Sequence, residues 1–198
     1  MCIDKLDGPL HECPAADSYD DCSDPDSFPP DYIESLHVNG APPFMLRLKI
    51  GAKFMCIRNI SMQRGVVNGT MMQVVAIGRR YIQVKILTGN SAGSIELLLQ
   101  QVFTITPEAS GLPFTIKRKQ YPIIPAYCLS VHKAQGQTIQ TCGLIFESDP
   151  FTHGQLYVAL SRVSSWQSLY IMMHQGQASI HNVVLKYLLP SATNNVNI

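Results

Sequence analysis

Short runs of alternating apolar and polar residues fill the middle of the chain. Lys53 to Ile57, Thr70 to Ile77 and Tyr81 to Leu87 each have the period of a strand, and Ser94 to Ile105 supplies one or two more. Turn chemistry separates them. Asn68-Gly69 is a tight-turn pair, Gly78-Arg79-Arg80 makes a second turn and Thr88 to Gly93 a third. Short strands joined at this spacing predict a small β-barrel over residues 46–118.

Beyond it the pattern changes. Ala126 to Val131 is a short apolar, β-prone run that predicts a buried strand, broken at His132-Lys133, with Gly136 permitting a sharp turn. Cys142 to Glu147 predicts another strand. Thr152 and Gln155 stand at capping-box spacing, so a helix is predicted to start at Thr152, with Leu156, Leu160 and Val163 as its apolar face. Gln155, Ala159 and Arg162 share a neighbouring face, where the small Ala159 leaves room for a phosphate between amide and guanidinium. Taken alone, Arg162 reads first as a solvated surface charge. Ser168 to Met173 predicts the last strand. Ser179 to Leu189 predicts a closing amphipathic helix, stopped by Pro190. Alternating strands and helices predict an α/β layer architecture here.

Composition changes the picture little, charge distribution more. The chain has 198 residues, 46% hydrophobic and 15% charged, as expected of a globular protein. No apolar run is long enough for a membrane helix, and Met1-Cys-Ile-Asp-Lys lacks the layout of a signal peptide, so no membrane partner and an intracellular setting are expected. Nucleus and mitochondrion are not distinguished by the sequence. Six cysteines show no Cys-x-x-Cys spacing, and no metal site is expected among them. The net charge of +1 hides an asymmetry: residues 1–34 hold ten acids and one base (−9), residues 35–198 fourteen bases and four acids (+10). The acidic, proline-bearing head 1–34 is predicted to be a disordered linker. The basic body is suited to phosphate backbones, with Arg58 at a predicted loop and Lys117-Arg118-Lys119 as a patch that tracks a strand of nucleic acid. Loop arginines such as Arg58 also read as simple solvated charge.

Ser130-x-His132-Lys133-Ala134-Gln135-Gly136, followed by Gly154-Gln155-x-Tyr157-Val158-Ala159-Leu160-Ser161-Arg162, resembles the last two motifs of superfamily-one DNA helicases, and most nearly the PIF-type (petite integration frequency) helicases, including those of Helitron transposons. Further pieces stand in the family's order, among them Arg58-Asn59, Asn68-Gly69-Thr70, Leu87-Thr88-Gly89 and Leu112-Pro113-Phe114-Thr115, so that the resemblance runs from about Tyr19 to Leu189. It implies an α/β fold, the C-terminal part of a RecA-like (P-loop NTPase-type) helicase domain with an inserted SH3-like barrel. The implied layout is a connecting segment 35–45, the barrel with its flanking strand 46–118, the second RecA-like domain 119–190 and a tail 191–198.

The resemblance also implies roles. Arg162 would be the arginine finger, Gln135, Gly136 and Gln155 would bind nucleotide, and Ser130, His132 and Lys133 would contact the DNA backbone. A motor of this kind uses ATP and Mg. The chain holds neither the loop Gly-x-x-x-x-Gly-Lys-Ser/Thr nor an Asp-Glu pair ending an apolar strand. The Mg ligands are therefore expected outside this chain, in a first RecA-like domain preceding it, and the isolated chain is expected not to hydrolyse ATP. Expected partners are single-stranded DNA and that missing domain. The family's work in DNA repair, recombination or telomere maintenance would follow. The alternatives are a stand-alone single-stranded nucleic-acid-binding module and an inactive transposon-derived remnant. Trp166 is expected to pack rather than to offer a stacking platform.

Overall fold

The computed structural model describes residues 2–20, 28–174 and 179–185. The chain divides into two units, Met1–Cys128 and Leu129–Ile198. The division falls later than the expected one between residues 118 and 119, because the strands on either side of Tyr121 pair within the first unit.

The first unit is mostly antiparallel sheet. Strands β1 (His11–Pro14) and β3 (Met45–Leu48) pair with each other, and β2 (Ala16–Asp20) begins a second sheet. The predicted alternating runs become β4 (Lys53–Cys56), β5 (Met71–Ile77), β6 (Tyr81–Ile86), β7 (Ile95–Leu99) and β8 (Gln101–Ile105). After a short helix α2 (Pro107–Ser110) come β9 (Thr115–Gln120) and β10 (Ile123–Pro125). The largest sheet runs β10-β4-β5-β6-β7, with a bulge in β5 between Val74 and Ala76. Its inward positions, including Phe54, Met72, Val74, Ile82, Val84 and Ile86, form one core with Leu46, Leu48 and Ile123.

Among the described residues no sheet closes, and open sheets stand where the barrel was expected. Only Gln100 separates β7 from β8, and there the chain leaves the five-stranded sheet for a second one ordered β2-β9-β8. With β8 committed elsewhere, β7 and β10 remain edges. The second sheet packs Ile105, Phe114 and Ile116 with Ile33 of helix α1 (Pro30–Ser35), and Tyr19 and Phe28 meet Phe114 edge-on at 5.5 and 5.4 Å between ring centres.

The acidic head is not a disordered linker where it is described. Residues 11–14 and 16–20 are strands, and Ile3 is buried in the main core. Four of the ten acids in this head find basic partners among the described residues. Asp17 meets Arg118, Asp20 meets Lys117, and Asp4 and Glu12 flank Arg47. These pairs and the strand ladders give the described part of the head the long-range partners that its composition did not disclose.

The second unit holds β11 (Cys142–Phe146), α3 (Gln155–Leu160) and β12 (Leu169–Met173), with the two strands parallel, as a helical crossover requires. Leu144 and Phe146 bury against Ala159 of the helix. The predicted strand Ala126–Val131 is absent: residues 126–130 carry no strand and Val131–Gly136 are turns, since this apolar run gains no ladder partner. Residues 179–185 are not helical, and the remainder of the predicted closing helix lies outside the described residues. Among the described residues no helix is long and apolar enough to cross a membrane.

Candidate functional site

Two stretches of the second unit carry most of the expected chemistry, and one side chain joins them. The turns after Ser130 are closed by Lys133 and Ala134 N–H groups donating to the Ser130 carbonyl and by Gln135 N–H donating to the His132 carbonyl. Ala134 is buried, whereas Ser130, His132, Lys133, Gln135 and Gly136 are exposed. Gly136 takes φ 77°, the left-handed conformation that the sequence anticipated.

The helix begins later than its capping-box spacing suggests. Gly154, at φ 77°, is its N-cap, and the side chain of Gln155 still reaches back, its Oε1 accepting from the N–H of Phe151 at 3.0 Å and of Thr152 at 3.4 Å. That is half of a capping box, made without a helical turn between the partners. It turns the Gln155 carbonyl oxygen toward its own loop rather than toward Arg162. Ala159 is 1% exposed and belongs to the core, so it opens no space for a phosphate. Leu156 and Leu160 pack on the same core as expected, and Val163 lies beyond the end of the helix.

Arg162 is folded back rather than projecting. Its Nε donates to the Val158 carbonyl at 2.7 Å, and Nη1 to the carbonyls of Ala134 at 3.2 Å and Gln137 at 3.1 Å. Nη2 donates to Ser161 Oγ at 2.7 Å. In return the Arg162 carbonyl accepts from Ile139 N–H at 2.8 Å. The end of the helix and the turn-rich loop are thereby one hydrogen-bonded body.

The candidates of the first unit separate into buried and exposed groups. A strand turns successive side chains to opposite faces, so Lys117-Arg118-Lys119 cannot act as one patch. Arg118 is 1% exposed. Its Nε and Nη2 grip the Asp17 carboxylate at 2.9–3.1 Å, its remaining donors reach the Pro42 and Ile33 carbonyls, and Phe44 lies beneath it at 5.6 Å. It is a core residue and cannot meet DNA. Lys117 pairs with Asp20 at the surface, and Lys119 is exposed. Arg58 lies over the Phe103 ring at 5.1 Å and donates to the Val102 carbonyl at 2.7 Å while remaining exposed.

Sequence reasoning misjudged Trp166. It is 73% exposed on a 3-10 turn (Trp166–Ser168) and edges a shallow depression lined by Leu160, Val163, Ser164 and Ser165. Ile145, Tyr170 and Met172, adjacent on the face of β11 and β12 turned away from Ala159, are also exposed. Among the described residues no three His, Cys, Asp or Glu side chains are grouped to hold a metal ion.

Residues 31–77 match the family described as DNA helicase Pif1, 2B domain. The human ATP-dependent DNA helicase PIF1 is 33% identical over 173 residues, which cover 86% of this chain and 24% of the human one. The protein of that name from Bdellovibrio bacteriovorus is 32% identical over 143 residues, 71% of this chain and 30% of its own length. Among solved structures, the Pif1 helicase from Candida albicans shares 26% identity with a TM-score of 0.61, over 86% of this chain and 41% of that one. A Bacteroides Pif1 bound to single-stranded DNA shares the fold with a TM-score of 0.59 at 23% identity, over 85% of this chain and 36% of that one. The chain thus spans about a quarter of the length of the vertebrate relatives it matches.

Proposed function

We infer, from a chain that corresponds in sequence and fold to the C-terminal portion of the Pif1-type DNA helicases, that it forms the DNA-holding and nucleotide-facing half of an ATP-driven unwinding motor. The second unit is then the C-terminal part of a RecA-like domain. The observation that carries this assignment is the joining of the two motif stretches through Arg162, which puts the exposed Ser130, His132, Lys133 and Gln135 on one loop with the guanidinium behind it.

On this proposal Ser130, His132 and Lys133 of the second unit hold the phosphate backbone, and Arg58, Lys117 and Lys119 are separate phosphate contacts of the first unit. Such contacts position a strand without reading its sequence. Gln135, Gly136 and Arg162 face the nucleotide, with Gln155 supporting them from the helix start. The sequence holds neither Gly-x-x-x-x-Gly-Lys-Ser/Thr nor an Asp-Glu pair ending an apolar strand, and on this proposal the Mg ligands and the phosphate cradle are supplied by another domain. When bound, ATP and Mg supply the phosphoryl-transfer chemistry. This chain supplies the positively charged group that approaches the transferred phosphate and the surface on which DNA moves. Repair and recombination are the processes in which such a motor would serve.

The test uses the chain alone. Purified 1–198 should bind an oligothymidylate with an affinity that falls steeply with salt, because each neutralised phosphate of a single strand contributes a log–log slope of about −0.7. Lys119→Ala should flatten that slope, and ATP turnover should stay at background with and without DNA. DNA-stimulated turnover by the chain alone, or an affinity indifferent to salt, would overturn the assignment.

A further inference from the structure

A guanidinium carries five N–H groups, and four of those on Arg162 are already spent on Val158, Ala134, Gln137 and Ser161. Three of these four acceptors are main-chain carbonyls, and two of them, Ala134 and Gln137, lie in or beside the loop that displays Ser130, His132 and Lys133. The loop's own hydrogen bonds are those of consecutive turns, each spanning only a few residues. Such turns hold shape weakly on their own, because few contacts oppose their opening. Arg162 adds long-range hydrogen bonds to a loop otherwise held by its turns, by Gln137 Nε2 donating to the Lys133 carbonyl and by the packing of Val131 and the burial of Ala134, and Ile139 N–H donating to the Arg162 carbonyl closes the ring from the other side.

We propose that Arg162 is the positioning residue of the loop 130–137, so that the same arginine which faces the nucleotide sets the geometry of the DNA contacts. This rests on the proposed function for what the loop touches, but not for the restraint itself. A single remaining N–H cannot serve a phosphate with a planar fork. A fork made through the Nη1/Nη2 edge requires Nη1 to release Ala134 or Gln137, and the loop loosens as it does so, whereas the Nε/Nη2 edge would release only Val158 and Ser161. Through the Nη1 edge the two sites compete for one side chain, which couples them without any residue between.

The experiment is amide hydrogen exchange on the chain 1–198 with no nucleotide present, together with oligothymidylate binding. Arg162→Ala should speed exchange at Gln135, Gln137 and Ile139 by about tenfold or more, as expected when charge-assisted restraints on a local opening are removed. Leu144 and Ile171 in the β11–β12 ladder and Val84 in the first unit should be unchanged, which separates loosening from unfolding. Arg162→Lys should not restore protection, since one ammonium cannot span the two loop carbonyls and Val158 together. Ser161→Ala should leave the loop protected, because the carbonyl bonds remain. Affinity for oligothymidylate should fall in Arg162→Ala with a flatter salt slope, as Lys133 loses its phosphate, although Arg162 itself touches no DNA. Unaltered exchange in the loop would overturn the restraint. Faster exchange with unaltered DNA affinity would overturn the positioning role. Absence of DNA binding by the unsubstituted chain would sink the proposed function and the positioning of DNA contacts while the exchange result still decided the restraint.

Discussion

Replacing Arg118 by alanine should destabilise the first unit severely without removing a DNA contact. The side chain is 1% exposed and Asp17, its partner, is 5% exposed. The change strips the Asp17 carboxylate of its guanidinium fork, takes its donor from the Pro42 carbonyl and leaves the Ile33 carbonyl only the Leu36 N–H. Breaking a buried pair from one side costs roughly 3–5 kcal/mol, because the remaining charge has neither water nor partner. Against a typical total of about 5–15 kcal/mol, that is a large fraction. The assay is urea unfolding of 1–198 followed by far-ultraviolet circular dichroism, alongside thermal melting, where a drop of roughly 10 °C or more is expected for a unit of this size.

Lys117→Ala on the same strand is the internal control. Its pair with Asp20 lies at the surface, 44% exposed on both sides, so the change should stay within about 1 kcal/mol. Added salt should weaken the Lys117 pair and barely alter the Arg118 pair, which solvent ions cannot reach. Replacing Asp17 and Arg118 together with apolar residues should cost less than the two single changes added, since no charge is left stranded. A loss below about 1 kcal/mol for Arg118→Ala would refute the buried-pair argument, as surface changes have effects of that size.

Further expectations follow from other sites. Gly65→Ala should destabilise by more than Gly69→Ala: both have positive φ, which costs an alanine about 1–2 kcal/mol, but a Cβ on Gly65 would also meet Ser91 Oγ at 2.5 Å, whereas Gly69 has open space. Chemical unfolding of the two variants side by side gives the difference. Burial pushes the thiols of Cys13, Cys56 and Cys142 above their ordinary pKa, so each reaches its reactive thiolate only at higher pH, while Cys128 is exposed. At pH 8, site-resolved mass spectrometry after brief alkylation should therefore find Cys128 modified well before those three, and equal labelling of Cys56 would contradict its burial. Trp166, being exposed, should be quenched readily by acrylamide in the folded chain, and protection from the quencher would return it to the core.

What the sequence determined by itself was local. Alternation over a few residues located β4, β5, β6 and β11 to within a residue or so, because the period of a strand is written in its own side chains. The Asn68-Gly69 turn and the Thr152–Gln155 contact were equally legible, as each depends on neighbours within a few positions. The order of the motif residues likewise pointed to a helicase before any fold was known. What only the tertiary structure decided depended on partners far along the chain. Asp17 and Arg118 are 101 residues apart, and nothing in a run of three bases says that the middle one has a buried carboxylate waiting. The alternation of a strand could have warned that Lys117, Arg118 and Lys119 do not share a face, but not which face is the core. The same limit explains the acidic head, whose charges look repulsive until Arg47, Lys117 and Arg118 are brought beside them. It explains the open sheets, since closure is set by which strand takes the last edge rather than by any strand's own pattern. And it explains Arg162, whose position on the helix was readable while its acceptors, the carbonyls of Ala134 and Gln137, belong to a loop that only folding delivers.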